Sequence, residues 1–110
     1  MSSQLLALLL LLSTVAVHHL PVATCNSWCV ALPAATHEQL QFNIKFACSY
    51  VDCSAIQPGG SCYYPNTLLD HASFVMNIYY NSQGRSFQAC SFGNTGYIID
   101  SDPSAESCIY

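Results

Sequence analysis

The stretch CSYVDCSAIQPGGSCYYPNT, Cys48 to Thr67, decides the fold. It holds three cysteines, and its non-cysteine residues favour turns over any regular element. Asp52-Cys53-Ser54 and Gln57-Pro58-Gly59-Gly60-Ser61 are turn chemistry: proline presets φ, and glycine tolerates positive φ. Such a segment has little core of its own, and cross-links supply the order that burial cannot.

Helical patterns lie on both sides of this stretch. Upstream, Thr36-His37-Glu38-Gln39 is a capping-box signature. Leu40, Ile44 and Cys48 follow at i, i+4, i+8 with Ala47 alongside, which predicts a helix over His37–Cys48. Phe42 and Phe46 form a second apolar stripe on it. Downstream, Thr67 or Asn66 is the N-cap of a helix that runs to about Tyr80 and stops near Gly84. Leu68, Ala72, Met76 and Tyr79 make one stripe; His71, Phe74, Val75 and Ile78 make another. A helix apolar around so much of its circumference is buried or shows one face to a partner.

The outer segments read as strands and turns. Trp28-Cys29-Val30-Ala31-Leu32 is a short strand-like run ended by Pro33. Phe87–Phe92 and Thr95–Ile99 flank Gly93-Asn94, which predicts a tight hairpin. Asp102-Pro103-Ser104 is a further turn, and Cys108 ties down the tail. At the other end, Leu5 to Val17 is a continuous apolar run. It is shorter than the ~20 residues a bilayer span needs and matches the core of a secretory leader, although no Lys or Arg precedes it. Cleavage after Ala16 or after Cys25 leaves small residues before the cut; the second is preferred. The expected division is a signal peptide over 1–25 and one domain over 26–110.

Six of the seven cysteines lie beyond Asn26: Cys29, Cys48, Cys53, Cys62, Cys90 and Cys108. An even count in a short exported chain reads as a disulfide framework. No CxxC pair recurs at the spacing of a zinc finger, so no metal is expected. A core this small is marginal, and each long-range bridge adds roughly 2–4 kcal/mol by restricting the unfolded chain.

Charge narrows the function further. Lys45 and Arg85 face six acids, for a net charge of −4. Nucleic acid is excluded as a partner, because phosphate binding needs clustered Lys and Arg. No second apolar run follows for a lipid anchor, so the expected product is a soluble, extracellular monomer with no membrane anchor. Seven Tyr, five Phe and one Trp accompany many Ser, Asn and Gln, a palette suited to a neutral, hydroxyl-rich ligand.

Taken together, Trp28-Cys29-Val30-Ala31, Ala47-Cys48, Asp52-Cys53-Ser54-Ala55-Ile56, Gln57-Pro58-Gly59-Gly60-Ser61-Cys62, Tyr64-Pro65-Asn66-Thr67, His71-Ala72-Ser73-Phe74, Asn77, Tyr79-Tyr80, Cys90-Ser91-Phe92-Gly93 and Asp102-Pro103-Ser104 closely resemble the plant X8 domain, the carbohydrate-binding module of family 43. The resemblance implies a small disulfide-rich α+β domain, two helices packed on a small antiparallel sheet. It implies the pairing Cys29–Cys90, Cys48–Cys53 and Cys62–Cys108. It also implies binding of β-1,3-glucan in the plant cell wall without hydrolysis. This chain departs from the family pattern by the extra Cys25 and by Phe42 and Lys45, where smaller or acidic residues are expected.

Sugar binding uses aromatic rings against the C–H face of a pyranose, with polar side chains setting orientation. The candidate contacts are Tyr63 and Tyr64 on the cysteine-bearing loop beside Asn66, Tyr80 at the end of the second helix, and Phe92 and Tyr97 around the expected hairpin. Tyr79 is expected in the core, Trp28 against the Cys29 disulfide, and Gln83 and Arg85 in a solvated turn. No catalytic residue and no cofactor are expected. Glycoside hydrolysis usually needs two carboxylates about 5–10 Å apart, whereas Glu38 and Asp70 read as helix-start charges and Asp52 and Asp102 as turn formers. Ser73, His71 and Asp70 are near neighbours on one helix and do not converge as a triad. The competing function is a secreted cysteine-rich defence or signalling protein acting on a protein or lipid partner. Such defence proteins tend to be basic, and lipid carriers show eight cysteines in an all-helical pattern.

Overall fold

The computed structural model describes residues 26–110; the apolar run Leu5–Val17, expected to be a leader, and Cys25 lie outside the described residues. The elements run β1 (Trp28–Ala31), α1 (His37–Cys48), α2 (Leu68–Ser82) and β2 (Gly96–Ile99), with 3-10 turns at Ser54–Ile56, Gln88–Cys90 and Phe92–Asn94. The result is a small disulfide-rich α+β domain.

Both helices begin where side-chain chemistry starts them. At α1, Thr36 Oγ1 accepts from the Gln39 backbone N–H at 3.1 Å, and Gln39 Oε1 accepts from the Thr36 N–H at 2.8 Å. Together they satisfy two of the backbone donors that a helix start leaves open. At α2, Thr67 Oγ1 accepts from the Asp70 N–H at 3.0 Å and donates to the Asp70 carboxylate.

α2 is the axis of the domain. Ala72, Met76 and Tyr80 enter one core cluster with Cys29, Ala31, Leu40, Ala89 and Cys90. Phe74 and Val75 enter a second with Ala47, Ile56, Cys62 and Cys108. Two buried polar residues of α2 bind β1 directly. Asn77 Oδ1 accepts from the Cys29 N–H, and Ser73 Oγ from the Ala31 N–H, both at 3.0 Å. The match is geometric: two residues along a strand rise about 6.6 Å and four along a helix about 6.0 Å. The helix therefore completes one edge of β1 with side-chain hydrogen bonds, and β2 completes the other.

β2 is where the local reading fails. The expected hairpin over Phe87–Phe92 and Thr95–Ile99 does not form. β2 pairs antiparallel with β1, in the register Trp28↔Ile99, Cys29↔Ile98, Val30↔Tyr97, Ala31↔Gly96. Residues 87–92 coil into 3-10 turns instead. The reason is burial: Ala89 and Cys90 are both buried, although consecutive, and a strand sends neighbours to opposite faces. Cys90 is held against β1 by its bond to Cys29. Gly93-Asn94 does adopt left-handed backbone, but Phe92 joins it, with φ of 45°, 61° and 66° along the three residues. That run makes a corner, where a two-residue hairpin turn would reverse the chain.

The disulfides are Cys29–Cys90, Cys48–Cys53 and Cys62–Cys108, the pairing the resemblance implies. Cys48–Cys53 closes the turn after α1, where the Asp52 carboxylate accepts from the Ser54 N–H at 2.9 Å. The Ser54 hydrogen bonds, backbone first, hold the Asp52 pKa below the usual carboxylate value. Gly60 is required here, because a Cβ at that position would lie 2.3 Å from the Ala55 carbonyl oxygen.

Candidate functional site

Aromatic side chains gather in two places. The larger assembly begins on α1. Phe42 and Phe46, with Tyr50 just past the helix end, stand at i, i+4, i+8 and so share one face. Phe42 and Phe46 stack at 6.5 Å between ring centroids, and Phe46 and Tyr50 approach at 5.3 Å. Tyr79 of α2 meets Phe46 edge-on at 5.3 Å and 72°. Phe92 closes the set, edge-on to Phe46 at 6.0 Å and to Tyr79 at 5.7 Å. Each such pair contributes about 0.5–1.5 kcal/mol beyond burial, so the rings hold one another in place.

Tyr50 braces Phe46 and Tyr79, and the other four rings, Phe42, Phe46, Tyr79 and Phe92, line an open groove with two lobes. The first, of about 320 Å³, lies among Phe42, Phe46, Tyr79 and Phe92, with Gln88 and Ser91 supplying polar groups. The second, of about 460 Å³, lies among Glu38, Gln39, Phe42, Asn43, Phe92 and Thr95. Phe42, Phe92 and Gly93 belong to both and form the saddle between them. Phe42 is 66% exposed and Tyr50 65%, although both are large and apolar.

The saddle is rigidly supported. Left-handed φ at a non-glycine residue such as Phe92 costs about 1–2 kcal/mol, so the surroundings must enforce it. Asn43 Nδ2 donates to Thr95 Oγ1 at 2.7 Å, and Thr95 Oγ1 donates to the Phe92 carbonyl. Asn43 and Thr95 are both buried. This relay ties the Phe92–Asn94 corner to α1.

The smaller assembly is the loop after Cys62. Tyr64 is 71% exposed, and the half-buried Tyr63 ring stands edge-on to it at 4.9 Å. Asn66 Nδ2 donates to the Tyr63 hydroxyl at 3.1 Å, and His71 Nε2 donates to the Tyr63 carbonyl at 2.7 Å. The loop is held, and it presents a single outward ring.

The structure thus brings Tyr63, Tyr64 and Asn66 together and places Phe92 elsewhere, in the groove. Tyr97 is on β2, half exposed, beside a separate small cleft with Phe87. Tyr80 is corrected: it is 2% exposed, with its hydroxyl 2.7 Å from Ser27 Oγ. β1 covers Ser73 and Asn77, and the chain just before it continues over Tyr80. Tyr79, expected in the core, is only partly buried and walls the groove, because it faces α1 where that helix ends. Phe42, Phe46 and Tyr50 were not among the expected contacts. Their four-residue spacing was the signal, since a repeat running past the helix end into exposed positions exceeds what a core needs.

Little on the groove is charged. Glu38 is the one carboxylate on its walls among the described residues. No three His, Cys, Asp or Glu side chains among the described residues converge as a metal site would require.

Residues 27–97 match the X8 domain family. Over 85 residues the chain is 51% identical to a glucan endo-1,3-beta-glucosidase of Triticum aestivum, covering 77% of this chain and 18% of that protein. A glucan endo-1,3-beta-D-glucosidase of Olea europaea is 46% identical over 84 residues, again across 18% of its length. The chain thus spans about a fifth of these enzymes. The major pollen allergen Ole e 10 of Olea europaea is 46% identical over 92 residues, covering 82% of this chain and 75% of the allergen.

Proposed function

Since this chain belongs to the X8 domain family, we propose that it is a non-catalytic carbohydrate-binding module that holds β-1,3-glucan in the two-lobed aromatic groove. The observation that carries the reading is the exposed, mutually braced set of rings from Phe42 to Phe92. A ring face against the C–H face of a pyranose removes apolar area from water, at ~25 cal/mol per Å². Gln88, Ser91, Gln39 and Asn43 supply the donors and acceptors that sugar hydroxyls require. Because the rings already support one another, little ordering cost falls on binding.

The ring arrangement also favours the linkage. Phe46, Tyr79 and Phe92 stand at 72°, 90° and 74° to one another. A β-1,4-linked glucan is a flat ribbon that stacks on coplanar rings. A β-1,3 linkage turns the chain, and a turning chain presents successive faces to walls set at angles. The glucosidase relatives act, by name, on 1,3-β-glucan, which points to the same polymer. Hydrolysis is not part of the proposal, since two cooperating carboxylates are needed and the groove has Glu38 alone among the described residues. Tyr63, Tyr64 and Asn66 form an accessory contact, and Tyr97 a further candidate away from the groove. The module acts as a monomer. The leader over residues 1–25 directs export, and three disulfides suit the oxidising cell wall.

The test is retention on insoluble β-1,3-glucan, with cellulose and chitin alongside. Selective retention on the β-1,3 polymer is expected. Equal retention on cellulose would remove the linkage argument. Retention on none would leave the defence or signalling reading, with a protein or lipid partner.

A further inference from the structure

The division of the groove has a consequence for what the site measures. The lobes are separate volumes of about 320 and 460 Å³, each able to hold one or two pyranose rings by the size of ordinary ligand sites. They differ in chemistry. The first is walled by four aromatic rings. The second exposes a polar reader: Asn43 is 2% exposed, and its Nδ2 is spent on Thr95 and Met76. Its Oδ1 accepts no hydrogen bond from any described residue, yet Asn43 lines this lobe. No buried side-chain oxygen or nitrogen among the described residues lacks a partner, so this Oδ1 reaches solvent, where a donor in the lobe can meet it. Gln39 is beside it, with Oε1 occupied by the Thr36 N–H and its amide N–H donors unspent among the described residues. An acceptor and a donor side by side match the hydroxyl of a sugar, which can serve both. Both lobes are open to solvent, so a chain can continue out of them.

We infer that the site reads an internal segment of glucan, about four units long by the combined size of the lobes, which crosses the Phe42–Phe92–Gly93 saddle. Stacking in the first lobe supplies affinity. The Asn43 and Gln39 amides in the second fix the register through a hydroxyl. Phe42 is the shared element, because it contacts the chain from both sides of the saddle. This inference rests on the glucan-binding reading of the same groove.

Calorimetric titration with β-1,3-linked oligosaccharides of two to six units, together with the soluble polymer, tests it. Affinity is expected to climb with each unit until both lobes are filled, at about four, and then level off. Chains whose reducing end has been converted to the alditol should bind like their parents at five and six units. Phe42→Ala should lower affinity about tenfold for the longer chains and flatten the climb. Gln39→Asn, which keeps the amide but draws it back, should weaken the four-unit chain several-fold and the two-unit chain little. Binding of the two-unit sugar as tightly as the six-unit one would overturn the inference and leave the glucan reading standing. So would a strict need for an unmodified reducing end. Failure of every oligosaccharide and of the polymer would overturn the glucan reading itself.

Discussion

The groove and the Tyr63–Tyr64 loop are made from the same kinds of residue and offer different surfaces. In the loop, Tyr63 and Tyr64 meet edge-on while Asn66 and, from α2, His71 bond to Tyr63, and the outcome is one exposed ring. In the groove, four aromatics come from α1, α2 and a left-handed corner, and the outcome is a concavity. The loop satisfies itself locally. The groove requires three segments that are distant in sequence to meet, so it inherits its shape from the whole scaffold. A groove comes from the second kind of assembly, because separated elements leave a space between them.

Breaking the scaffold should erase the distinction, and it carries the largest effect. Reduction of all three disulfides is expected to unfold the domain, with loss of the near-ultraviolet circular dichroism of both assemblies. Each bridge contributes roughly 2–4 kcal/mol, and a small core has little in reserve. A reduced protein with native-like thermal melting would contradict the small-core argument.

Asn77→Ala acts on the groove side through β1. It strands the buried Cys29 N–H, and an unpaired buried donor costs about 1–3 kcal/mol. Chemical denaturation should show a loss of that size, with the Tyr63–Tyr64 loop retaining its dichroism in the folded protein. A neutral substitution would mean that water replaces the side-chain acceptor.

Ligand binding should separate the two assemblies most directly. Phe42→Ala is expected to weaken β-1,3-glucan binding about tenfold, near 1.4 kcal/mol, with an unchanged melting temperature because the ring is mostly exposed. Tyr64→Ala is expected to weaken it two- to threefold and likewise leave folding intact. Equal affinity in wild type and Tyr64→Ala would remove the loop from the site; the reverse ranking of the two variants would transfer the site to it.

The effect that is smallest at neutral pH concerns the base of the loop side. Tyr110 packs edge-on against Phe74 at 5.4 Å, and its hydroxyl lies 3.5 Å from the Asp70 carbonyl. Burial first, then the nearby Asp70 charge, push its pKa up from 10.0 to about 12. A raised folded-state value means the fold holds this proton more tightly than the unfolded chain does. That contribution is complete below pH 10 and is lost as pH rises towards about 12. Tyr110→Phe should flatten the alkaline decline in stability over that window, and phenolate absorbance should show one fewer late-titrating tyrosine. An identical decline in the variant would place its origin elsewhere.

Much of the scaffold was legible in order along the chain. The Thr36 box, the Thr67 cap and the four-residue apolar spacing located both helices, since these signals act within one or two turns. Around Gly93-Asn94 the same local logic failed. A Gly-Asn pair between apolar runs is a hairpin signal, but the buried Cys90 and the open edge of β1 drew the second run to a partner more than sixty residues away. The site was harder to read. Tyr79 and Tyr80 are adjacent, and the helix period places both near the core face. Which of them reaches solvent depends on where α1 ends and where the chain before β1 passes.

The sequence by itself determined the helices, the loop that needs cross-linking and the nearly uncharged aromatic surface, because capping, turn propensity and charge are properties of neighbouring residues. Only the tertiary structure decided which strand pairs with β1, that Tyr80 is core, and that Phe42, Phe46, Tyr79 and Phe92 face one space. Those outcomes depend on burial shared between segments far apart in the chain, and no local pattern encodes the distance between two helices.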